Sequence, residues 1–154
     1  MPTEGELAPD FVLAGTTGEG EEVEVRLSEQ RGRPVVLYFY PKDDTSGCTA
    51  QACGIRDAWS EFEAAGAVVL GVSPDGLASH ARFSDKYDLP FTLLSDADHR
   101  VAEQYGVWKE KSMYGRTFWG IERTTFVIGP DGTIRRVFPR VRPKQHAAQV
   151  LEVL

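Results

Sequence analysis

Apolar residues recur along this chain in patterns that predict its secondary structure. Unbroken apolar runs at Val35 to Tyr40 and Ala67 to Ser73 are typical of central strands buried on both faces. Between them, apolar residues at spacings of four, three, four and three predict one helix face, made by Cys48, Ala52, Ile55, Trp59 and Phe62. We expect this helix to run to about Ala65. A strand, a helix and a strand within about 40 residues predict a parallel βαβ unit.

The remaining patterns complete an α/β sandwich. Near the N-terminus, Phe11 to Leu13 and the alternating segment Val23 to Leu27 predict a hairpin. A second hairpin is predicted around the turn Gly129-Pro130-Asp131-Gly132. Further predicted elements are helices over Leu77 to Tyr87, Ala97 to Tyr105 and from Lys144 onward, a short strand over Leu89 to Leu94, and a long irregular segment over Gly106 to Gly120. This order predicts a thioredoxin-like α/β fold in one domain, with a central mixed sheet and helices on both faces.

Composition narrows the possible partners. The 154 residues are 42% hydrophobic and 26% charged, which is typical of a globular domain, and the formal net charge is −6. This balance argues against nucleic acid or an anionic membrane surface as a partner. The stretch Met1 to Glu6 has no basic or apolar signal region, and no apolar run is long enough to span a membrane. We therefore expect a cytoplasmic protein.

Both cysteines lie in the predicted helix that follows the first buried strand. Cys48 begins the apolar stripe near the helix N-terminus, where unpaired N–H groups and the macrodipole favour a thiolate. Cys53 lies about 140° around the helix, with its Cα on the order of 8 to 9 Å from that of Cys48. A disulfide usually needs less than about 7 Å, so pairing would require local unwinding. In a reducing compartment the pair could be catalytic, redox-sensing or metal-binding, or two packing thiols.

Several segments together resemble the peroxiredoxins, and the bacterioferritin-comigratory-protein or PrxQ subfamily in particular. The pattern Pro41-x-x-x-Thr45-x-x-Cys48 matches the active-site signature of that family. Further matching segments are Ala8-Pro9-Asp10-Phe11, Leu37 to Asp43, Gly54-Ile55-Arg56-Asp57, Leu93-Leu94-Ser95-Asp96, Tyr105-Gly106-Val107-Trp108 and Glu122 to Phe126. The resemblance therefore covers nearly the whole chain.

The resemblance implies a thiol peroxidase that reduces hydrogen peroxide and organic hydroperoxides. Cys48 would be the peroxidatic nucleophile that becomes a sulfenic acid. The Thr45 hydroxyl would orient the peroxide, Pro41 would shield the sulfur from water, and the guanidinium of Arg123 would stabilise the thiolate and polarise the leaving oxygen. The backbone N–H groups of Gly47 and Cys48 would be the remaining hydrogen-bond donors of the peroxide site.

The resemblance also implies how the enzyme is recycled. Cys53 would resolve the sulfenic acid as an intramolecular disulfide, and thioredoxin, or alternatively glutaredoxin, would reduce that disulfide. We expect a monomer without a cofactor. We also expect no metal, since the three histidines have no metal-ligand spacing. Ser46 stands where the family commonly has a second proline, and the chain has neither the Gly-Gly-Leu-Gly segment nor the terminal Tyr-Phe pair of peroxiredoxins that are sensitive to overoxidation.

Two other functions are compatible with the cysteine pair. A thioredoxin-like disulfide oxidoreductase normally has two residues between its cysteines, whereas four separate Cys48 from Cys53. A redox sensor without catalytic turnover could use the same two thiols to pass oxidation to a partner protein. Histidines 80, 99 and 146 are predicted to be solvated or at the edge of the core.

Overall fold

A central seven-stranded mixed sheet organises the fold, which a computed structural model describes for residues 1–154. The strands are β1 (Val12–Thr16), β2 (Glu22–Arg26), β3 (Val35–Phe39), β4 (Val68–Ser73), β5 (Thr92–Ser95), β6 (Trp108–Met113), β7 (Arg116–Ile121), β8 (Thr124–Ile128) and β9 (Ile134–Phe138). The helices are α1 (Ser46–Asp57), α2 (Trp59–Ala64), α3 (Leu77–Tyr87), α4 (Arg100–Gln104) and α5 (His146–Leu151). The sheet order is β2-β1-β5-β4-β3-β8-β9, and β6 and β7 form a separate pair.

Strand β3 lies between two long neighbours inside the sheet. It pairs in parallel with β4, with Val35 opposite Val68, and antiparallel with β8, with Val35 opposite Ile128. All five residues of β3 are buried, which explains its continuous apolar sequence. The parallel β3-α1-β4 connection confirms the predicted βαβ unit, and both predicted hairpins form, as β1-β2 and β8-β9.

Side chains of β3 alternate between two hydrophobic cores. Val35, Leu37 and Phe39 point to the face that α4 covers, whereas Val36 and Tyr38 point to the opposite face. That opposite face is covered by residues of α1, α2, α3 and α5, among them Cys48, Ala52, Ile55, Phe62, Phe83 and Val150. Helices therefore lie on both faces of the sheet, as predicted for a thioredoxin-like fold.

The prediction of a long irregular segment over residues 106–120 is wrong. Strands β6 and β7 form an antiparallel hairpin with Trp108 opposite Ile121 and Met113 opposite Arg116. Tyr114 and Gly115 make its two-residue turn, both with positive φ, as tight hairpin turns require. Most of the hairpin is exposed on both faces, so its sequence lacks the alternation of apolar and polar residues by which a half-buried strand is recognised.

Three helices begin or end elsewhere than predicted. The helix predicted to run to Ala65 is interrupted at Ala58, where α1 ends and α2 begins one residue later. Helix α4 begins at Arg100 because the carboxylate of Asp96 accepts the N–H groups of Val101 and Ala102. The C-terminal helix begins with a short 3₁₀ turn over Pro143–Gln145. No helix of the chain is both long enough and apolar enough to cross a bilayer.

Candidate active site

Cys48 lies in the first turn of α1, at the N-terminal end of the helix. Thr45 is the N-cap residue in an extended conformation, and its carbonyl accepts the N–H of Thr49 at 2.8 Å. This is the first bond of the helix, so the N–H groups of Ser46, Gly47 and Cys48 have no helical partner. Cys48 is 2% exposed and packs in the core beside Tyr38, Tyr40 and Ala52. The sulfur therefore lies where backbone dipoles favour negative charge.

The hydroxyl of Thr45 is turned back toward its own loop. Its Oγ1 donates to the carbonyl of Lys42 at 2.9 Å rather than capping a helical N–H. A hydroxyl that donates one hydrogen bond keeps two lone pairs for accepting others. Thr45 is exposed, so those lone pairs are accessible to a small molecule that can donate a hydrogen bond.

Arg123 reaches the first turn of α1 from the connection between β7 and β8. Its Nη1 donates to Oε1 of Gln51 at 2.7 Å. Its Nη2 lies so close to Gly47 that a Cβ built on that glycine would be 3.1 Å away. The fold thus brings Arg123 to the helix turn that carries Thr45, Gly47 and Cys48. The glycine has a steric reason, since a side chain there would push the guanidinium away.

Lys111 is a second cation near this site, and it was not predicted from the sequence. Lys111 extends from β6, and its Nζ donates to the carbonyl of Ile121, two residues before Arg123. Burial and the nearby Arg123 guanidinium lower the pKa of the Lys111 ammonium, and the Cys48 sulfur acts on it in the opposite direction. Lys111 is half-buried in an otherwise exposed strand. No sequence signal separates it from the other lysines of this segment.

A buried polar relay holds Arg123 in place. The amide of Gln51 accepts from Arg123 through Oε1 and donates from Nε2 to Nδ1 of His146 at 3.2 Å. The opposite ring nitrogen of His146 lies 2.7 Å from Oγ1 of Thr125. Burial first, and the Arg123 guanidinium second, lower the pKa of His146 to about 3. The ring is therefore neutral, with its proton on Nε2.

The prediction that the histidines are solvated or at the core edge is wrong for two of the three. His80 and His146 are 0% and 1% exposed, and each bonds through both ring nitrogens. A buried imidazole is tolerated when both nitrogens are satisfied. His99 fits the prediction better, because its half-exposed ring stacks on Trp108 with centroids 3.9 Å apart.

Cys53 stands apart from this group. It is half-buried, carries a free thiol and belongs to the same unbroken helix as Cys48. Five helical residues separate the two Cα atoms by on the order of 8 to 9 Å, so a bond between the sulfurs requires α1 to unwind. Pro41, also half-buried, is the second residue beyond β3 and starts the loop that leads to Thr45.

The site therefore combines the buried thiol of Cys48, backbone N–H groups that have no helical partner, and the Arg123 guanidinium, which Gln51 holds in place. The model of the AhpC/TSA family matches residues 5–137. A putative peroxiredoxin Bcp of Coxiella burnetii is 52% identical over 147 residues, which cover 96% of this chain and 95% of the relative.

Two solved structures have the same fold. The bacterioferritin comigratory protein of Xanthomonas campestris, studied for its alkyl peroxide reduction activity, superposes with a TM-score of 0.83 at 38% identity, covering 92% of this chain and 88% of the other. A cysteine-to-serine variant of PrxQ from Xylella fastidiosa superposes with a TM-score of 0.90 at 34% identity, covering 99% and 95%. By its sequence along almost its full length and by its fold, this chain belongs to the AhpC/TSA family and, within it, to the Bcp/PrxQ peroxiredoxins.

Proposed function

We propose that this thiol peroxidase uses Cys48 to reduce hydrogen peroxide and organic hydroperoxides. The observation that carries the proposal is the placement of the Arg123 guanidinium against Gly47, at the helix terminus that holds the Cys48 sulfur. Family membership adds support, since a similar protein from Xanthomonas campestris has alkyl peroxide reduction activity. A positive fork and unpaired amides beside a thiol stabilise the negative charge of the attacking sulfur and the departing oxygen.

In the first step the Cys48 thiolate attacks the terminal oxygen of the hydroperoxide. An S–O bond forms and the O–O bond breaks, so that sulfur loses two electrons and the substrate leaves as an alcohol or water after taking up a proton. Thr45 accepts a hydrogen bond from the hydroperoxide, because its own proton is engaged with the Lys42 carbonyl. Arg123 donates to the oxygen on which charge develops. Pro41 excludes water from the loop side.

In the second step Cys53 resolves the sulfenic acid. The first turns of α1 unwind, the Cys53 thiolate attacks the Cys48 sulfur, an S–S bond forms and hydroxide leaves as water. The single interruption at Ala58 leaves α1 only 12 residues long, so the unwinding segment is short and ends before α2. A dithiol donor then returns both cysteines to thiols. We assign this role to thioredoxin, with glutaredoxin as the alternative, acting on a monomer in the cytoplasm.

Stopped-flow fluorescence tests the first step. Trp59 lies just beyond α1 and stacks on Phe62, so it reports both oxidation and unwinding. Mixing the reduced protein with hydrogen peroxide should give a rapid change, with a second-order rate constant orders of magnitude above that of a free thiol. The variant Trp59→Phe keeps Trp108 and Trp119, so it should show a smaller fluorescence change but unchanged peroxide consumption. A rate constant equal to that of an ordinary thiol would overturn the proposal.

The two cysteine roles separate in a coupled assay with NADPH, thioredoxin reductase and thioredoxin. Cys48→Ser should abolish peroxide consumption. Cys53→Ser should keep the first oxidation but lose thioredoxin-coupled turnover, because no thiol of the same helix can displace the hydroxyl group. Full turnover of Cys53→Ser would show that a donor thiol resolves the sulfenic acid. Rapid oxidation of the parent without turnover in any donor system would instead support the redox sensor.

A further inference from the structure

A buried hydrogen bond between Asp43 and His80 joins the active-site loop to α3 and has no part in the two steps proposed for the reaction. The carboxylate of Asp43, five residues before Cys48, lies 2.7 Å from Nδ1 of His80 through Oδ2. The hydroxyl of Tyr40 donates to Oδ1 at 2.6 Å, and that of Ser79 donates to Oδ2 at 2.8 Å. The side chains of Asp43 and His80 are 3% and 0% exposed. Such a group of buried polar side chains is stable only when every member is satisfied.

The hydrogen-bond partners show which atoms around this pair donate and which accept. Nε2 of His80 is 2.8 Å from the carbonyl of Leu94, which can only accept, so Nε2 carries a proton. Burial raises the pKa of Tyr40 well above its ordinary value, so its hydroxyl remains a donor. Both hydroxyls donate to Asp43, and one proton lies in the hydrogen bond between its Oδ2 and Nδ1 of His80. Removing either side chain would leave the other as a buried polar group without this partner.

The bond between Asp43 and His80 helps to fix the backbone that carries Thr45. The N–H of Asp43 donates to Oδ2 of Asp75 at 2.8 Å, so both the backbone and the side chain of Asp43 are anchored. The residue after Pro41 is Lys42, whose carbonyl accepts the Thr45 hydroxyl. The carbonyl of Thr45 in turn starts α1. A shift of Asp43 would therefore move the Lys42 carbonyl and rotate the lone pairs of Thr45.

We propose that His80 and Asp43 are positioning residues for the peroxide. They hold the Lys42 carbonyl, and through it the direction in which Thr45 accepts a hydrogen bond. The inference rests on the proposed function, because it assigns Thr45 to the hydroperoxide. Neither residue touches the substrate. They align the hydroperoxide with the Cys48 sulfur. That alignment is needed to break the O–O bond, but it is not needed in reactions that require only a thiolate.

The test compares two reactions of Cys48. Hydrogen peroxide requires alignment by Thr45, whereas iodoacetamide alkylates any accessible thiolate. The measured quantity is the ratio of the two second-order rate constants. His80→Gln removes the hydrogen-bond partner of Asp43 at the position of Nδ1 and should lower this ratio about 10- to 100-fold, the size expected for a displacement of about 1 Å. His80→Asn places an amide N–H near the position of Nδ1 and should restore most of the ratio.

Lys86→Ala is the matched control. Lys86 lies on the same helix and binds Asp44 of the same loop at 2.7 Å, but that ion pair is exposed, and the ratio should stay within about twofold of the parent. If His80→Gln does not fold, Tyr40→Phe removes one donor to Asp43 with little change of shape and should still lower the ratio severalfold.

The outcomes separate this inference from the proposed function. A parent chain that reacts with peroxide no faster than a free thiol overturns both. A fast parent whose ratio is unchanged in His80→Gln, or in Tyr40→Phe where the first does not fold, overturns the positioning role alone. Equal losses in both reactions would mean that the pair only supports the fold, and would overturn it as well. A lowered ratio that His80→Asn restores supports it.

Discussion

Lowering the pH should decrease the free energy of unfolding of this protein, because the folded state disfavours a protonated His146. Its pKa falls from about 6.5 in the unfolded chain to about 3 in the fold, because burial and Arg123 disfavour the imidazolium. Between these values the unfolded chain binds more protons than the folded one, so the free energy of unfolding decreases as the pH falls. Between pH 7 and pH 5 the expected loss is about 2 kcal/mol.

The structure also explains where the added proton would go. Nε2 of His146 already carries one, so the second would sit on Nδ1 and face the amide N–H of Gln51. That clash would break the bond from Gln51 and loosen the anchor of Arg123. In the folded protein this protonation occurs only as the pH approaches about 3, so between pH 7 and pH 5 His146 should lower the free energy of unfolding without itself lowering the peroxide rate constant of the folded protein.

Urea unfolding of the reduced protein at pH 7 and pH 5 measures the effect. The variant His146→Gln keeps an N–H donor toward Thr125 but has no titrating ring. It should lose about 2 kcal/mol less than the parent between the two pH values, whereas other titrating groups contribute equally to both proteins. Equal losses in the two proteins would refute the assignment of a neutral, buried His146.

Three further predictions concern single positions. Gly47→Ala would place a Cβ 3.1 Å from Nη2 of Arg123 and should lower the peroxide rate constant at least about tenfold, with little loss of stability. Gly71→Ala would place a Cβ 2.9 Å from core side chains of two neighbouring strands and should lower the free energy of unfolding by about 1 to 3 kcal/mol. Mass spectrometry after turnover at high peroxide should find little dioxidised Cys48, since the segments typical of sensitive peroxiredoxins are missing.

Gly54→Ala, in the same helix as Gly47, is the control for the first of these, because its Cβ would make an ordinary 4.0 Å contact with Ala147 of α5. It should keep the peroxide rate and stabilise the helix by up to about 1 kcal/mol. An unchanged rate in Gly47→Ala would contradict the close approach of Arg123. Unchanged unfolding of Gly71→Ala would contradict the packing at that strand, and abundant Cys48 dioxide at low peroxide would contradict the expected resistance.

Local patterns predicted the elements whose burial follows a simple period. The apolar run of β3 and the stripe that begins at Cys48 identified the strand and helix of the site, and the turn around Pro130 identified the last hairpin. The hairpin over residues 108–121 was not predicted, because it is largely exposed and its sequence has no such period. The bonds from Asp96 to the start of α4 were not predicted, because Asp96 is only 1% exposed and an aspartate is normally expected in water.

The sequence by itself determined that both cysteines lie in one helix, with Cys48 buried at its start and Cys53 turned away. Those properties depend on helical geometry and hydrophobic periodicity, which act over a few residues. The family resemblance pointed to Arg123, but nothing in the sequence indicated roles for Gln51, Lys111 or the two buried histidines, His80 and His146. Only the tertiary structure decided those, because strand register and helix packing choose which distant polar groups meet. A buried charge or imidazole becomes stable only when its partner, supplied by another element, is in place.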